Sequence, residues 1–187
     1  GMKIFAQVVA SGDDAALKLI KKEFVKDGLE IMSINQIIPE LKAKAGIIVG
    51  KPVSDDAMES IRLGSDVLQA ISPFDIGQGV IVQSQRVLAL EGAEGTNEML
   101  KRSGTLIDSD AGEAVFVKMM KVGQDPYLDP PGIGAETIKH AARAKIAVIA
   151  VEAGRVVIID MPAVLAAAER HNITIIGIEA KDAMANG

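Results

Sequence analysis

The chain has 187 residues, of which 49% are apolar but only 3% aromatic, with no Cys, no Trp and a net charge of −5. This length suits about one domain, with roughly two-thirds of the unfolded surface becoming buried. The absence of Cys excludes disulfides, thiolate nucleophiles and cysteine-ligated metal sites, and no basic run exceeds Lys21-Lys22, which argues against nucleic-acid binding.

Two capped helices are predicted in the N-terminal portion. Ser11-Gly12-Asp13-Asp14 is a helix-start signal, apolar residues then recur at helical spacing, and Gly28 ends the segment. A short strand is predicted over Leu29–Ile34. Ser54 begins a second helix, whose apolar face runs from Met58 to Ile71. No apolar run approaches ~18 residues, so neither a membrane-spanning helix nor a signal peptide is expected.

From Phe74 onward the pattern alternates between strands and helices. A hairpin is predicted around Gln83-Ser84-Gln85, and Glu152-Ala153-Gly154 predicts a second tight turn between strands. Asp160 is placed to cap the last helix, and Pro162 is tolerated in its first turn. The predicted elements are strands 79–82 and 86–90, helix 97–102, strand 114–119, helix 135–145, strands 146–151 and 155–159, helix 161–170 and strand 173–178.

This order predicts an α/β fold: a mixed sheet flanked by helices, with a helical N-terminal portion. We expect one domain over residues 2–187. Residues 1–72 are not assigned to a separate domain, because no linker composition marks a boundary.

The segment from Val117 to Thr137 carries the most chemistry. Its prolines disfavour helix, and it supplies cations, an amide and carboxylates next to a Gly-x-Gly turn that opens a helix. Such a combination suits a phosphate site with a divalent metal. The candidate residues are Lys118, Lys121, Gln124, Asp125 and Asp129.

Each candidate has a simpler interpretation. Asp129, held between Leu128 and Pro130-Pro131, either binds a metal or orients water, or it merely opens a turn. Lys118 either points inward to an anion or is a surface lysine. Gly132-Ile133-Gly134 is weak support for phosphate binding, because it lacks the dinucleotide fingerprint.

A second Gly-rich turn lies where a strand gives way to a helix, at Glu91–Asn97. Thr96 capping the helix is its default interpretation. The same position is also where open α/β sheets bind ligands, so both interpretations stay open.

Together these segments resemble the C-terminal domain of the LpxI-type UDP-2,3-diacylglucosamine pyrophosphatases, a family formerly of unknown function. The likeness runs in order from about Ser11 to Ile178, and no single piece carries it. The matching pieces are Gly12–Ala15, Phe74–Gln78, Val87–Glu91, Glu94–Thr96, Val117-Lys118, Lys121, Gln124-Asp125, Leu128-Asp129, Pro131, Ile133-Gly134, Thr137 and Ile149–Arg155.

The resemblance implies a Mg²⁺-dependent hydrolase of lipid A biosynthesis, which cleaves UDP-2,3-diacylglucosamine into UMP and lipid X. The family's essential aspartate aligns with Asp129, which is expected to be catalytic and to bind the metal. Residues expected to bind substrate or line the same site are Gln78, Thr96, Asn97, Lys118, Lys121 and Gln124.

The chain also departs from the family pattern. Family members carry Asp where this chain has Asn97, which predicts a weaker metal bond there. Met119-Met120 replaces Ala-Pro, and Asp129-Pro130-Pro131 replaces Asp-Leu-Pro. A non-catalytic module that binds a nucleotide sugar or lipid, or an oligomerisation domain, is therefore the alternative function.

The resemblance also implies partners. Family members have a Rossmann-like N-terminal domain that this chain lacks, and their substrate lies between the two domains, so we expect the chain to be inactive alone. The other expected partners are the UDP-diacylglucosamine substrate, the inner-membrane surface of a Gram-negative bacterium, which the protein would contact peripherally from the cytoplasm, and a second copy of the chain.

Overall fold

The computed structural model describes residues 13–30, 32, 38–124 and 129–179. Within these residues the chain forms five α-helices and eight β-strands. The helices are α1 (Asp13–Lys26), α2 (Asp55–Ile71), α3 (Gly95–Ser103), α4 (Ala135–Arg143) and α5 (Met161–His171). The strands are β1 (Gly46–Val49), β2 (Gly79–Gln83), β3 (Arg86–Leu90), β4 (Ala114–Lys118), β5 (Gly132–Ile133), β6 (Val148–Glu152), β7 (Val157–Ile158) and β8 (Thr174–Ile178).

Six of the strands form one mixed sheet in the order β1-β8-β6-β4-β2-β3. The central strands β4, β6 and β8 are parallel, whereas β1, β2 and β3 pair in antiparallel fashion. The predicted α/β fold, with a mixed sheet flanked by helices and a helix near the N-terminus, is confirmed.

Helices cover both faces of the sheet, because the central strands are apolar on both sides. Helix α2 packs Ala57 and Ile61 against Val80 and Val117 on one face. The opposite face buries a second apolar cluster with helices α3, α4 and α5. Side chains alternate between faces along a strand, so Phe116 and Lys118 of β4 point away from α2.

Several local predictions are confirmed. Ser54 caps α2 and accepts a hydrogen bond from the Ala57 backbone N–H. Asp160 caps α5 through the Ala163 backbone N–H. The β2–β3 hairpin turns on Ser84-Gln85, both with positive φ, as a tight two-residue hairpin requires.

The second predicted hairpin is wrong. Strand β7 does not return to pair with β6; it pairs in parallel with β5 in a separate two-stranded sheet. The backbone N–H groups of Arg155 and Val156 both bond to the Glu152 carbonyl, and this turn directs the chain away from the main sheet.

Other predictions differ in extent or lie outside the described residues. The edge strand β1 was not indicated, because a four-residue apolar run does not distinguish strand from helix. Half of the predicted strand at Leu29–Ile34 lies outside the described residues, and the described half (29, 30 and 32) is not in a strand. Ser11, Gly12 and Asp125 also lie outside the described residues. No helix in the described ranges is long and apolar enough to cross a membrane.

Candidate functional site

A cleft of about 530 Å³ opens at one edge of the main sheet. The carboxyl ends of β3 and β4 and the start of β2 meet at this edge. Open α/β sheets commonly bind ligands beyond the carboxyl ends of their strands. The polar cleft is lined by Asp75, Ile76, Gly77, Gln78, Glu91, Gly92, Ala93, Gly95, Lys121, Gln124 and Asp129.

Lys118 lies behind the polar cleft, and its side chain is only 5% exposed. Its ammonium donates a hydrogen bond to the Thr96 hydroxyl at 2.7 Å and lies 3.6 Å from a Glu91 carboxylate oxygen. Burial lowers the pKa of Lys118 below its ordinary value, while the Glu91 carboxylate and more weakly Asp129 oppose this shift. Of the two interpretations of Lys118, the inward-pointing one is therefore correct. The buried Glu91 carboxylate is its counter-ion.

In the buried part of this site, the Glu91 carboxylate joins helix α3 to the residue before β2. One carboxylate oxygen accepts the Thr96 hydroxyl at 2.7 Å, and the other accepts the Gln78 backbone N–H at 3.1 Å. Its neighbours include two glycines for a steric reason. A Cβ on Gly77 would come within 2.3 Å of the Glu91 carbonyl oxygen, and one on Gly79 within 2.8 Å of the carboxylate. Larger residues there would displace Glu91.

Thr96 does not cap the helix, so its default interpretation is wrong. Helix α3 begins two residues earlier than predicted, with Glu94 at the N-cap position. The Thr96 hydroxyl is instead used between Glu91 and Lys118. Thr96 is the second residue of the helix, past the cap position, so its hydroxyl is not placed to accept the backbone N–H groups that a cap satisfies.

Two amides and a second lysine form the wall of the polar cleft. The Gln78 side chain donates to the Gln124 side-chain oxygen at 2.6 Å, and the Gln124 amide donates to the Asp129 carbonyl at 2.9 Å. Lys121 pairs with Asp75 at 2.5 Å. These contacts fix Lys121, Gln124 and the Asp129 backbone beside the residues that precede β2.

The predicted site residues are thus largely brought together. Asp129, Gln78, Lys121 and Gln124 line the polar cleft, with Lys118 and Thr96 bonded behind it. Asn97 is exposed on α3 and is not among the lining residues. Two further residues, Glu91 and Asp75, were not predicted. Glu91 could have been found, because it directly follows the apolar strand β3.

The carboxylates in the polar cleft suit a metal ion that a bound ligand would also coordinate. Among the described residues, no group of three or more His, Asp or Glu side chains could hold a metal ion unaided. Glu91 and Asp75 each pair with a lysine, whereas the Asp129 side chain is exposed in the cleft. Mg²⁺ is usually bound by one or two carboxylates together with substrate phosphates and water, and Asp129 fits that mode.

Glu152 holds the residues that directly follow β4. This buried carboxylate at the end of β6 accepts the Met120 backbone N–H at 2.9 Å and lies 3.3 Å from the Arg155 guanidinium. Burial raises the pKa of Glu152. Between the ordinary carboxyl pKa and this raised value, the folded protein holds more protons than the unfolded chain. Glu152 therefore contributes less stability as pH rises through that window.

Glu152→Gln is expected to be more stabilising, relative to the parent, at pH 7 than at pH 4, since it removes a desolvated charge but keeps an acceptor for Met120. Glu152→Leu, the matched control, leaves that N–H without its acceptor and should cost about 1–3 kcal/mol. Urea unfolding at both pH values measures each difference. A change in unfolding free energy on Glu152→Gln that is equal at the two pH values would contradict the raised pKa of Glu152.

The fold and the polar cleft define an α/β domain with a candidate ligand site where strands β3 and β4 end. A family model described as the LpxI C-terminal domain matches residues 44–176. The UDP-2,3-diacylglucosamine pyrophosphatase LpxI of Caulobacter vibrioides is 35% identical over 190 residues, which cover 97% of this chain and 68% of that protein. The chain belongs to the LpxI family.

Proposed function

We propose that this chain is the catalytic C-terminal part of a UDP-2,3-diacylglucosamine pyrophosphatase, acting in lipid A biosynthesis. The reaction adds water across the pyrophosphate and yields UMP and lipid X. The observation that carries this proposal is the buried Lys118–Glu91 pair behind a polar cleft that also holds Lys121 and Asp129. The name of the Caulobacter relative supports the same activity.

The lysines offset the charge of the pyrophosphate. Lys118 has little freedom, because Thr96 and Glu91 fix its ammonium before a ligand arrives. Preorganised charges of this kind need no reorganisation during the reaction. Lys121 pairs with the more exposed Asp75, a contact for which an anionic ligand competes.

Asp129 is the proposed catalytic carboxylate. Its exposed side chain lies in the polar cleft, while its backbone carbonyl is held by Gln124. Asp129 would hold Mg²⁺ jointly with the substrate phosphates, and the metal would supply neutralisation of charge on the pyrophosphate oxygens. Pro130 and Pro131 restrict the backbone that presents this carboxylate.

Turnover is proposed to require the remainder of the family's enzyme, since the substrate is expected between two domains. The same proposal places the protein at the cytoplasmic surface of the inner membrane, where a lipid-linked substrate is available. A second copy of the chain is a further proposed partner.

The non-catalytic alternative depended on Asn97. Exposure of Asn97 on α3, outside the residues that line the cleft, favours the catalytic function. An oligomerisation domain would instead be favoured by an Asp129 buried without a pocket beside it.

Asn97→Asp is expected to leave turnover unchanged, because Asn97 is exposed and lies outside the residues that line the cleft. Initial rates at a fixed Mg²⁺ concentration measure the effect. A large metal-dependent gain would contradict this expectation and favour a chain that has lost its chemistry.

Phosphorus NMR tests the function. The chain is fused to the part of the Caulobacter relative that lies outside the match, and is incubated with UDP-2,3-diacylglucosamine and Mg²⁺. We expect resonances of UMP and lipid X from the fusion and none from the chain alone. Persistence of intact substrate with the folded fusion would contradict the proposal.

A further inference from the structure

The four residues that directly follow β4, Met119–Val122, all have acceptors for their backbone N–H groups. We call these four residues the post-β4 segment. Lys121, the one charged residue of the segment, lines the polar cleft. In chain order the acceptors are the Gln78 carbonyl at 3.0 Å, a Glu152 carboxylate oxygen at 2.9 Å, the Gln124 side-chain oxygen at 3.3 Å and the Ser72 hydroxyl. Three of the four acceptors are side chains, so substitutions elsewhere in the chain can release this segment.

Glu152 takes the place of a strand partner. The parallel pairing of β4 with β6 ends at Lys118 and Val151. Two residues beyond Lys118, the Met120 N–H donates to the Glu152 side chain. Glu152 is only 2% exposed, so this hydrogen bond lies away from water, where it is electrostatically stronger. The carboxylate therefore extends the hold of β6 on the chain past the end of β4.

Ser72 holds the other end of the post-β4 segment. This residue follows helix α2 and is only 6% exposed, and its hydroxyl accepts the Val122 N–H. Lys121 thus lies between two residues, Met120 and Val122, whose backbones are bonded to separate parts of the domain. Its ammonium has fewer positions open to it before a ligand arrives, and such preorganisation favours binding.

Neither Glu152 nor Ser72 lines the polar cleft. We infer that both are positioning residues: through the backbone of the post-β4 segment, they hold Lys121 where its ammonium binds the anionic part of a ligand. This inference rests on the proposed function and deepens it, because it names residues outside the cleft that set the affinity of the cleft for pyrophosphate.

Two substitutions of Glu152 separate this role from the charge of the residue. Glu152→Gln removes the negative charge but keeps an acceptor for Met120, whereas Glu152→Leu removes both. Each full-length variant, shown to be folded by urea unfolding, is titrated calorimetrically with inorganic pyrophosphate in the presence of Mg²⁺. We expect Glu152→Gln to bind at least as tightly as the parent, because a negative charge near an anion is lost. Glu152→Leu should bind about tenfold more weakly than Glu152→Gln, since a displaced binding group loses much of its contribution.

Ser72→Ala tests the same role at the other end of the segment, and Ser60→Ala is its matched control. Ser60 is also a buried serine whose hydroxyl accepts a backbone N–H, that of Gln85 in the β2–β3 turn. Each variant loses one such acceptor, but Ser72 holds the post-β4 segment, whereas Ser60 holds a turn at the opposite end of β2. We expect Ser72→Ala to weaken pyrophosphate binding about tenfold and Ser60→Ala to leave it unchanged.

The effect of Ser72 should also depend on Lys121. In a Lys121→Met background, Ser72→Ala should weaken pyrophosphate binding by less than about twofold, because the group that Ser72 positions is absent. A general loosening of the fold would instead weaken binding by the same factor with or without Lys121.

Equal affinities of Glu152→Leu and Glu152→Gln would overturn the positioning role of Glu152, and equal affinities of Ser72→Ala and Ser60→Ala would overturn that of Ser72. An undiminished effect of Ser72→Ala in the Lys121→Met background would show that Ser72 does not act through Lys121. Pyrophosphate binding by the parent together with any of these results removes the positioning role alone. Failure of the parent to bind pyrophosphate removes the proposed function, and this inference with it.

Discussion

Lys118→Met is expected to destabilise the fold by about 3–5 kcal/mol, because it leaves the Glu91 carboxylate buried without its cation. The double variant Lys118→Met, Glu91→Gln should recover most of this loss. The neutral amide that replaces the carboxylate still offers an oxygen to the Gln78 backbone N–H, and no buried charge remains. Urea unfolding of the three proteins gives the free energies.

Lys139→Met is the matched control for the single variant. Lys139 forms an exposed ion pair with Glu136, and such pairs contribute at most about 1 kcal/mol. An equal loss in the single and double variants would show that Lys118 contributes through packing rather than by neutralising Glu91.

Asp129→Ala is expected to lower kcat of the fusion roughly 10²–10⁴-fold, the range for loss of a catalytic carboxylate. Because the Asp129 side chain is exposed, unfolding free energy should change by no more than about 0.5 kcal/mol. This contrast separates Asp129 from Lys118, whose loss affects both fold and site.

Asp110→Ala serves as the control for that experiment, since Asp110 is an exposed aspartate in a turn outside the cleft lining. Initial rates and urea unfolding are measured for all three proteins. Unchanged turnover by Asp129→Ala would remove this residue from the chemistry.

Local elements of the fold could be predicted because their signals lie within a few residues. Ser54 and Asp160 mark helix starts through their side-chain chemistry, and the β2–β3 hairpin follows from two short apolar runs separated by polar residues. Strand partners could not be predicted in the same way. The pattern of 155–159 indicates extended chain, but its pairing with β5 depends on residues more than twenty positions away.

In the candidate site, too, local features could be predicted from the sequence, whereas contacts between distant residues could not. Lys118 is a polar residue at the end of an apolar strand, yet the sequence alone does not decide whether its side chain is buried or exposed. Strand alternation predicts that Lys118 shares a face with Phe116, but not that Glu91 lies there as its counter-ion. Asp75 precedes a turn of no marked pattern, and its contact with Lys121 spans 46 residues.

Calorimetric titration with inorganic pyrophosphate in the presence of Mg²⁺ tests directly whether the polar cleft binds pyrophosphate through Lys118. The parent chain is compared with Lys118→Met, Glu91→Gln, whose fold is expected to be retained. We expect the parent to bind pyrophosphate and the double variant to bind it at least about tenfold more weakly, since the charge-assisted hydrogen bond proposed from Lys118 to the ligand is lost. Equal affinity of the two folded proteins would contradict binding through Lys118.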